Sequence, residues 1–259
     1  MISEAHIVPY EAQHLPVDDG PWLVFAPHAD DESFGMGGTL VKASDEGIQA
    51  ELVIMTDGSL GGDQVDLVKT RQEEAKAAAA ILGINSTTFL NYSDRELKVD
   101  DQTTRAVLNE IKRVRPRAVF FPGPFELHPD HRVTAQLVWR ALQRCKDLEV
   151  IPVTYEILVQ SPVNTLVDIS RELEHKIKAM GVYKSQIEEN RYESIALAMN
   201  KLRSLTLPTT VSHAEGYYRF SRESLEKGFA ENIVGKITSF FLKCSRKASF
   251  KGGSCKLKN

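Results

Sequence analysis

Cysteine is scarce in this chain, at 3 of 259 residues, and Cys145, Cys244 and Cys255 fall in no metal-ligand or disulfide-framework spacing. That excludes a disulfide-stapled secreted scaffold and a thiolate zinc module, and it suits a reducing compartment. Cys145 lies in a helical apolar pattern, where a buried free thiol is expected. Long hydrophobic runs are missing too. The most apolar late run, Ser239-Phe240-Phe241-Leu242, is far too short to span a bilayer. The first residues, Met1-Ile2-Ser3-Glu4-Ala5-His6, lack the basic and apolar regions of a signal peptide. A cytoplasmic location is the expectation. No repeat of solenoid length is present. Basic excess is absent from the body of the chain: the formal net charge of -3 combines +6 on residues 243–259 with -9 on the rest. A nucleic-acid-binding domain is therefore not expected.

What is present is an ordinary globular composition, 42% hydrophobic and 26% charged, in a chain long enough to bury a sizeable core. The pattern predicts one domain over residues 1–242, with its core at about 22–218. Residues 243–259, from Lys243 on, read as a basic, disordered tail with little apolar content. From Trp22 apolar strand-like runs alternate with helical spacings. Strands are expected at 22–26, 49–56, 87–91 and 118–121, and helices at about 33–47, 65–82, 103–114 and 132–145. Gly83 is placed to stop the second helix. The alternation predicts an α/β fold with a mainly parallel sheet and helices on both faces. After Val150 the rhythm changes. Residues 153–159 and 165–169 read as two strands with no helix between them, an antiparallel addition, followed by helices at 172–184 and about 194–204.

The chemistry concentrates at two strand ends. Pro27-His28-Ala29-Asp30-Asp31-Glu32 follows the apolar run Trp22-Leu23-Val24-Phe25-Ala26, and His128-Pro129-Asp130-His131 follows Ala118-Val119-Phe120-Phe121-Pro122. Ligands of open parallel sheets bind past the carboxyl ends of strands where strand order reverses. If the two strands are neighbours, the two clusters face each other. His28, Asp31 and His131 then form a two-imidazole, one-carboxylate site with open positions, the donor set with which a zinc ion activates water. Asp30 is free to accept the proton of that water. His128 can face the same cavity as an acid or oxyanion stabiliser. Asp130 is placed to hold an imidazole in one tautomer. Glu32 is expected to favour a helix N-terminus by charge alone. The glycines at 35, 37 and 38 lack a dinucleotide fingerprint and suit a tight turn and close packing.

Pro27-His28-Ala29-Asp30-Asp31-Glu32 resembles the Ala-His-Pro-Asp-Asp-Glu motif of the PIG-L/LmbE-type zinc-dependent N-deacetylases, and His128-Pro129-Asp130-His131 resembles their His-Pro-Asp-His. Supporting matches are Thr56-Asp57-Gly58, Arg71 with Glu74, and Tyr183-Lys184-Ser185-Gln186. Asp94 and Ala214-Glu215-Gly216-Tyr217 match more weakly. The resemblance spans about Trp22 to Tyr218. It implies a Rossmann-like fold, one Zn2+ per chain, and removal of acetyl from an N-acetylglucosamine-type sugar or its conjugate. It carries metal binding onto His28, Asp31 and His131, the general base onto Asp30 and the electrophilic acid onto His128. Ala29 departs from the motif, costing a rigid turn and no ligand.

Arg71 and Glu74, one helical turn apart, read equally as an exposed pair or, for Arg71, as a contact to a sugar hydroxyl or phosphate. Asp94 reads as a contact to substrate hydroxyls or as a plain loop aspartate, and His213 beside Glu215 reads as a pocket or a surface histidine. Two histidines and a carboxylate are also the triad of non-haem iron enzymes, though those usually sit in all-β scaffolds. A non-catalytic nucleotide or sugar-binding module using the glycine-rich turn is the third reading. It leaves Asp30, His128 and His131 without a role. The expected partner is a small amino sugar, not nucleic acid or a membrane, and the sequence leaves a homo-oligomer open.

Overall fold

Strand β2 (Trp22–Ala26) is buried at every residue, and its side chains alternate between two cores. Trp22, Val24 and Ala26 pack on one side of the sheet; Leu23 and Phe25 pack on the other. A strand with both faces covered has no use for a polar position, which is why this run reads as unbroken apolar sequence. A computed structural model describes residues 12–62, 66–187, 191–232 and Gly235 of the chain. The expected disordered tail at 243–259, with Cys244 and Cys255, lies outside the described residues.

Around β2 the described residues form an eight-stranded sheet. Its other strands are β1 (Ala12–Gln13), β3 (Ala50–Thr56), β4 (Ser86–Tyr92), β5 (Ala118–Pro122), β6 (Ile151–Tyr155), β7 (Thr165–Asp168) and β8 (Ala214–Arg219). The spatial order is β1-β7-β8-β6-β5-β2-β3-β4. The helices are α1 (Asp31–Asp45), α2 (Leu67–Leu82), α3 (Asp101–Val114), α4 (Pro129–Arg144), α5 (Leu173–Met180), α6 (Lys184–Ile187) and α7 (Tyr192–Arg203). Residues of α1, α2 and α5 join the core on one face, and those of α3 and α4 join the core on the other. The expected α/β class, mainly parallel and helix-covered on both faces, is the observed one.

Local rules account for several boundaries. Asp100 caps α3, its carboxylate accepting the Thr103 N–H at 2.8 Å. Gly83 ends α2 in the left-handed conformation at φ 73°, and its N–H returns to the Ala79 carbonyl, as the sequence predicts. Pro129 opens α4, where a missing N–H costs nothing.

The C-terminal half differs from expectation in one respect. β6 and β7 are not antiparallel neighbours: β8 lies between them and runs antiparallel to both. The single reversed strand is thus Ala214–Arg219, whose sequence AEGYYR hides its strand character behind a glycine and two charges. The arrangement that matters for chemistry is β2 beside β5, paired in parallel from Trp22↔Ala118 to Val24↔Phe120. From β2 the chain crosses to β3 and β4 on one side and later to β5 and β6 on the other. The carboxyl ends of β2 and β5 therefore flank the switch point.

Candidate active site

At the end of β2 the chain turns abruptly into α1. Asp30, the residue before the helix, sits at φ 136° and ψ -28°, a conformation that residues with a Cβ rarely adopt. The turn sends His28, Asp30 and Asp31 into one cavity of about 450 Å³, whose wall also includes Arg71, Asp94, His128, His131 and Gln186. Phe34, Ile157, Leu158 and Tyr192 supply its apolar surface.

Three donor atoms from the two strand ends form a small triangle. His28 Nδ1 lies 3.2 Å from Asp31 Oδ2, His131 Nε2 lies 3.3 Å from the same oxygen, and the two nitrogens are 3.2 Å apart. Ligands held at about 2.0–2.1 Å around a tetrahedral centre stand roughly 3.3–3.4 Å apart, so this triangle has the size of three corners of a zinc-type site. His128 completes a group of three imidazoles whose nitrogens lie within 4.8 Å of one another. Its ring is less suited to be a ligand: Nδ1 accepts the Asp130 N–H at 3.2 Å, and its side chain is the most exposed of the three, at 32%.

The electrostatics also ask for a cation. Asp30, Asp31, Asp94, Asp130, Glu32 and Glu126 are all buried around the site, against one buried guanidinium among the described residues, that of Arg71. Burial alone disfavours charge on the histidines, but carboxylates override it. Asp130, Asp31 and Asp94 hold His28 well above its ordinary value, and Asp31 with Glu126 lifts His131 to about 9. Asp31, despite burial, is held far below the usual carboxylate range by His131 and His28. Burial, then the neighbouring Asp31 charge, pushes Asp30 up to about 8, while Arg71 and His28 pull it down. Burial and the adjacent imidazoles His28 and His131 depress His128. A divalent cation held by these groups would answer the same carboxylate charge that favours protons on His28 and His131.

The far nitrogens of His28 and His131 face carboxylates. His28 Nε2 lies 3.4 Å from Asp130 Oδ2 and 3.3 Å from Asp94 Oδ1. Asp130 thus addresses His28 across the switch point, and its Oδ2 also accepts the Arg95 N–H at 2.7 Å. His131 Nδ1 has no hydrogen-bond partner; the nearest carboxylate is Glu126 Oε2 at 3.7 Å. Glu126 is 1% exposed and is fixed by the Ile157 N–H at 2.8 Å and the Leu158 N–H at 3.2 Å.

Several polar residues stand differently from what their local sequence suggests. Asp94 is no plain loop aspartate: it is buried against His28, which brings its pKa to about 2 although burial works the other way. Arg71 and Glu74 do not pair with each other. Arg71 donates to the Gly58 and Ala29 carbonyls at 3.1 Å each and lies 3.6 Å from Asp30 Oδ2, whereas Glu74 accepts from the backbone and hydroxyl of Ser185. Glu32 is fully buried, accepting from Tyr183 Oη at 2.5 Å and Ser33 Oγ at 2.7 Å, so it is more than a charge at a helix start. His213 is absent from the cavity wall and its ring contacts Ser212 Oγ. Sequence reasoning missed Glu126 altogether. Its one signal was an acid in the otherwise apolar Pro124-Phe125-Glu126-Leu127 at a strand end.

A parallel sheet with a histidine–carboxylate cluster at its switch point is the setting of a metal-assisted hydrolase. The family described as PIG-L, GlcNAc-PI de-N-acetylase, matches residues 23–142, which include both histidine clusters. The chain is 31% identical over 192 residues to the diacetylchitobiose deacetylase of Thermococcus kodakarensis, covering 66% of this chain and 72% of that one. It is 28% identical over 197 residues to a probable N-acetyl-alpha-D-glucosaminyl L-malate deacetylase 2 of Bacillus cereus, covering 69% and 89%. In structure it is similar to the N,N'-diacetylchitobiose deacetylase of Pyrococcus horikoshii, with TM-score 0.72, 27% identity, and coverage of 81% of this chain and 87% of that one. The chain belongs to the PIG-L/LmbE family of deacetylases.

Proposed function

We propose that this protein is a zinc-dependent N-deacetylase that removes the acetyl group from an N-acetylglucosamine-type sugar or a conjugate of one. The observation that carries the reading is the compact triangle of His28 Nδ1, Asp31 Oδ2 and His131 Nε2, with the Asp30 carboxylate and the His128 ring on the same cavity wall. Membership of a family whose curated relatives are named as amino-sugar deacetylases supports the substrate class. Zinc fits the donor set of two imidazoles and one carboxylate with an open position.

When bound, such an ion lowers the pKa of water and polarises an amide carbonyl. The chain's residues do the rest. The cavity orients the acetamido group between Asp30 and His128. Asp30 accepts a proton as the water oxygen bonds to the carbonyl carbon, and a carboxyl pushed up by burial holds that proton readily. His128 stabilises the oxyanion that develops. The C–N bond then breaks as the proton on Asp30 passes to the nitrogen, giving acetate and a free amine. Asp130 holds the His28 ring through Nε2, and Glu126 faces His131 Nδ1. Arg71 steadies Asp30 and the Gly58 loop, while Arg71 and Asp94 stand on the wall where sugar hydroxyls would lie.

The test is an amine- and acetate-release screen of zinc-loaded protein against N-acetylglucosamine, its phosphates, diacetylchitobiose and inositol or malate conjugates. Release from at least one member, lost on chelation and restored by zinc, is the expected result. Silence across the panel with zinc stoichiometrically bound would overturn the deacetylase reading.

A further inference from the structure

Helix α1, which begins at Asp31, is not continuous. Met36 at φ -143° and ψ 19° breaks it into a short first segment and a longer second one. In an unbroken helix the Gly38 N–H would bond to the Phe34 carbonyl, and the Thr39 N–H to that of Gly35. At the break both donors reach one carboxylate from a distant strand. Gly38 N donates to Glu215 Oε1 at 3.0 Å and Thr39 N donates to Glu215 Oε2 at 2.8 Å. The Phe34 carbonyl is taken by Lys176 Nζ at 2.8 Å, and the same ammonium lies 2.6 Å from Glu215 Oε1. An ion pair from α5 and β8 is thus set against the backbone of α1 at the break, making three charge-assisted hydrogen bonds to it. Tyr217 Oη adds a fourth donor to the carboxylate, at 3.0 Å from Oε2.

Both side chains of the pair are fully buried. Nothing about general stability requires this: a buried ion pair is often no better than apolar residues of the same volume. What it does do is fix an angle. The short segment ahead of the break carries Asp31 and follows Asp30, so the tilt at Met36 sets where both carboxylates point. Glycine at 35 and 38 lets the broken helix lie this close to its neighbours; a Cβ at Gly35 would fall 2.4 Å from the Tyr155 ring, and one at Gly38 would fall 2.6 Å from Ile169.

We infer that Lys176 and Glu215 are positioning residues, an ion-pair wedge that holds the first turn of α1 at the tilt that aims Asp31 at the cation and Asp30 at the scissile amide. Neither touches substrate. Their effect passes through the Phe34 carbonyl and the Gly38 and Thr39 amides.

The inference rests on the proposed roles of Asp30 and Asp31, and the experiment separates its failure from theirs. Zinc affinity of the wild-type full chain is measured first, by competition with a chromophoric chelator. A wild type that takes up no zinc overturns the metal reading and the wedge with it. The double variant Lys176→Met/Glu215→Gln removes both charges together, leaving no uncompensated ion in the core, and its fold is checked by circular dichroism. The expected result is a folded protein whose zinc dissociation constant rises by ~10–100-fold, the usual scale for groups that orient ligands. At saturating zinc its kcat stays depressed while KM hardly moves, because the misaimed base matters only at the transition state. A role in packing alone would lower the melting temperature and leave the zinc affinity and kcat of the folded fraction untouched; that outcome overturns the wedge. If the double variant does not fold, Tyr217→Phe decides, since it removes one hydrogen bond to Glu215 and keeps the ring. A smaller change in zinc affinity and kcat, in the same direction, supports the wedge; wild-type values overturn it.

Discussion

The two strand ends that meet at the switch point are built in opposite ways. At the end of β2 every polar group is buried and gripped from afar: Glu32 by Tyr183, Asp30 by Arg71, and the broken helix behind them by Lys176 and Glu215. At the end of β5 the helix is regular and opens on Pro129. His128 caps it with a half-buried ring, and the preceding Leu127 is 77% exposed. Both ends bury their carboxylates and the second also buries His131, but only the β5 end reaches the mouth of the cavity, through His128. Ligands and a base must stay where they are put, whereas a group that meets the substrate carbonyl must be accessible to it. The exposure of His128, against the burial of the residues around it, therefore separates the holding function from the receiving one.

Breaking the donor triangle, to which both ends contribute, should have the largest effect. Asp31→Ala or His131→Ala each removes a corner of the donor triangle, and dialysed protein should then retain little zinc and no measurable turnover; metal analysis checks this. Asp30→Asn keeps the size and hydrogen bonding of the side chain but cannot take a proton at neutral pH. Turnover should fall by ~10²–10⁴-fold with zinc retained. If Asp30→Asn loses zinc while Asp31→Asn keeps it, the two aspartates are assigned in reverse.

On the receiving side, His128→Ala should also keep its zinc, and kcat should drop by ~10²–10³-fold, the scale of one lost oxyanion donor. Zinc loss in this variant would move His128 among the ligands and erase the contrast between the two ends. A step lower, Glu126→Gln and Asp130→Asn should each weaken zinc binding by ~10–100-fold, read by chelator competition, because each faces the far nitrogen of a histidine proposed as a ligand. The smallest effect concerns pH. Arg71 pulls Asp30 down, so Arg71→Gln leaves the carboxyl easier to protonate. A base must be unprotonated to act, and the acidic limb of kcat/KM should move to higher pH. A shift to lower pH would contradict the pairing of Arg71 with Asp30.

The two ends were legible in the sequence to different depths. Ligands and base come from very few residue types, and here they follow directly on apolar strands, so His28, Asp30, Asp31, His128 and His131 stood out. The pairing of β2 with β5 needed only the rule that ligands gather where strand order reverses. What holds the β2 end in place was hidden, because its partners are distant in sequence and chemically unremarkable there. Lys176 falls among the polar residues of the helix expected at 172–184, and Glu215 in a weakly matching motif to which no strand was assigned; only β8, inserted between β6 and β7, brings them under α1. Glu126 was hidden for the same reason, since its backbone partners Ile157 and Leu158 lie past the end of β6. Arg71 and Glu74 show the limit from another side. Spacing along a helix says that two residues can meet, not that they do.

The backbone of Asp30 carries a consequence for how this protein would drift under selection. At φ 136° a residue with a Cβ is strained by on the order of 1–3 kcal/mol, and glycine there would relieve most of it. Asp30→Gly should therefore melt at a higher temperature than the wild type while losing its base. A library of variants screened for thermal resistance alone would be drawn to position 30 early, and its hardiest members would be inert.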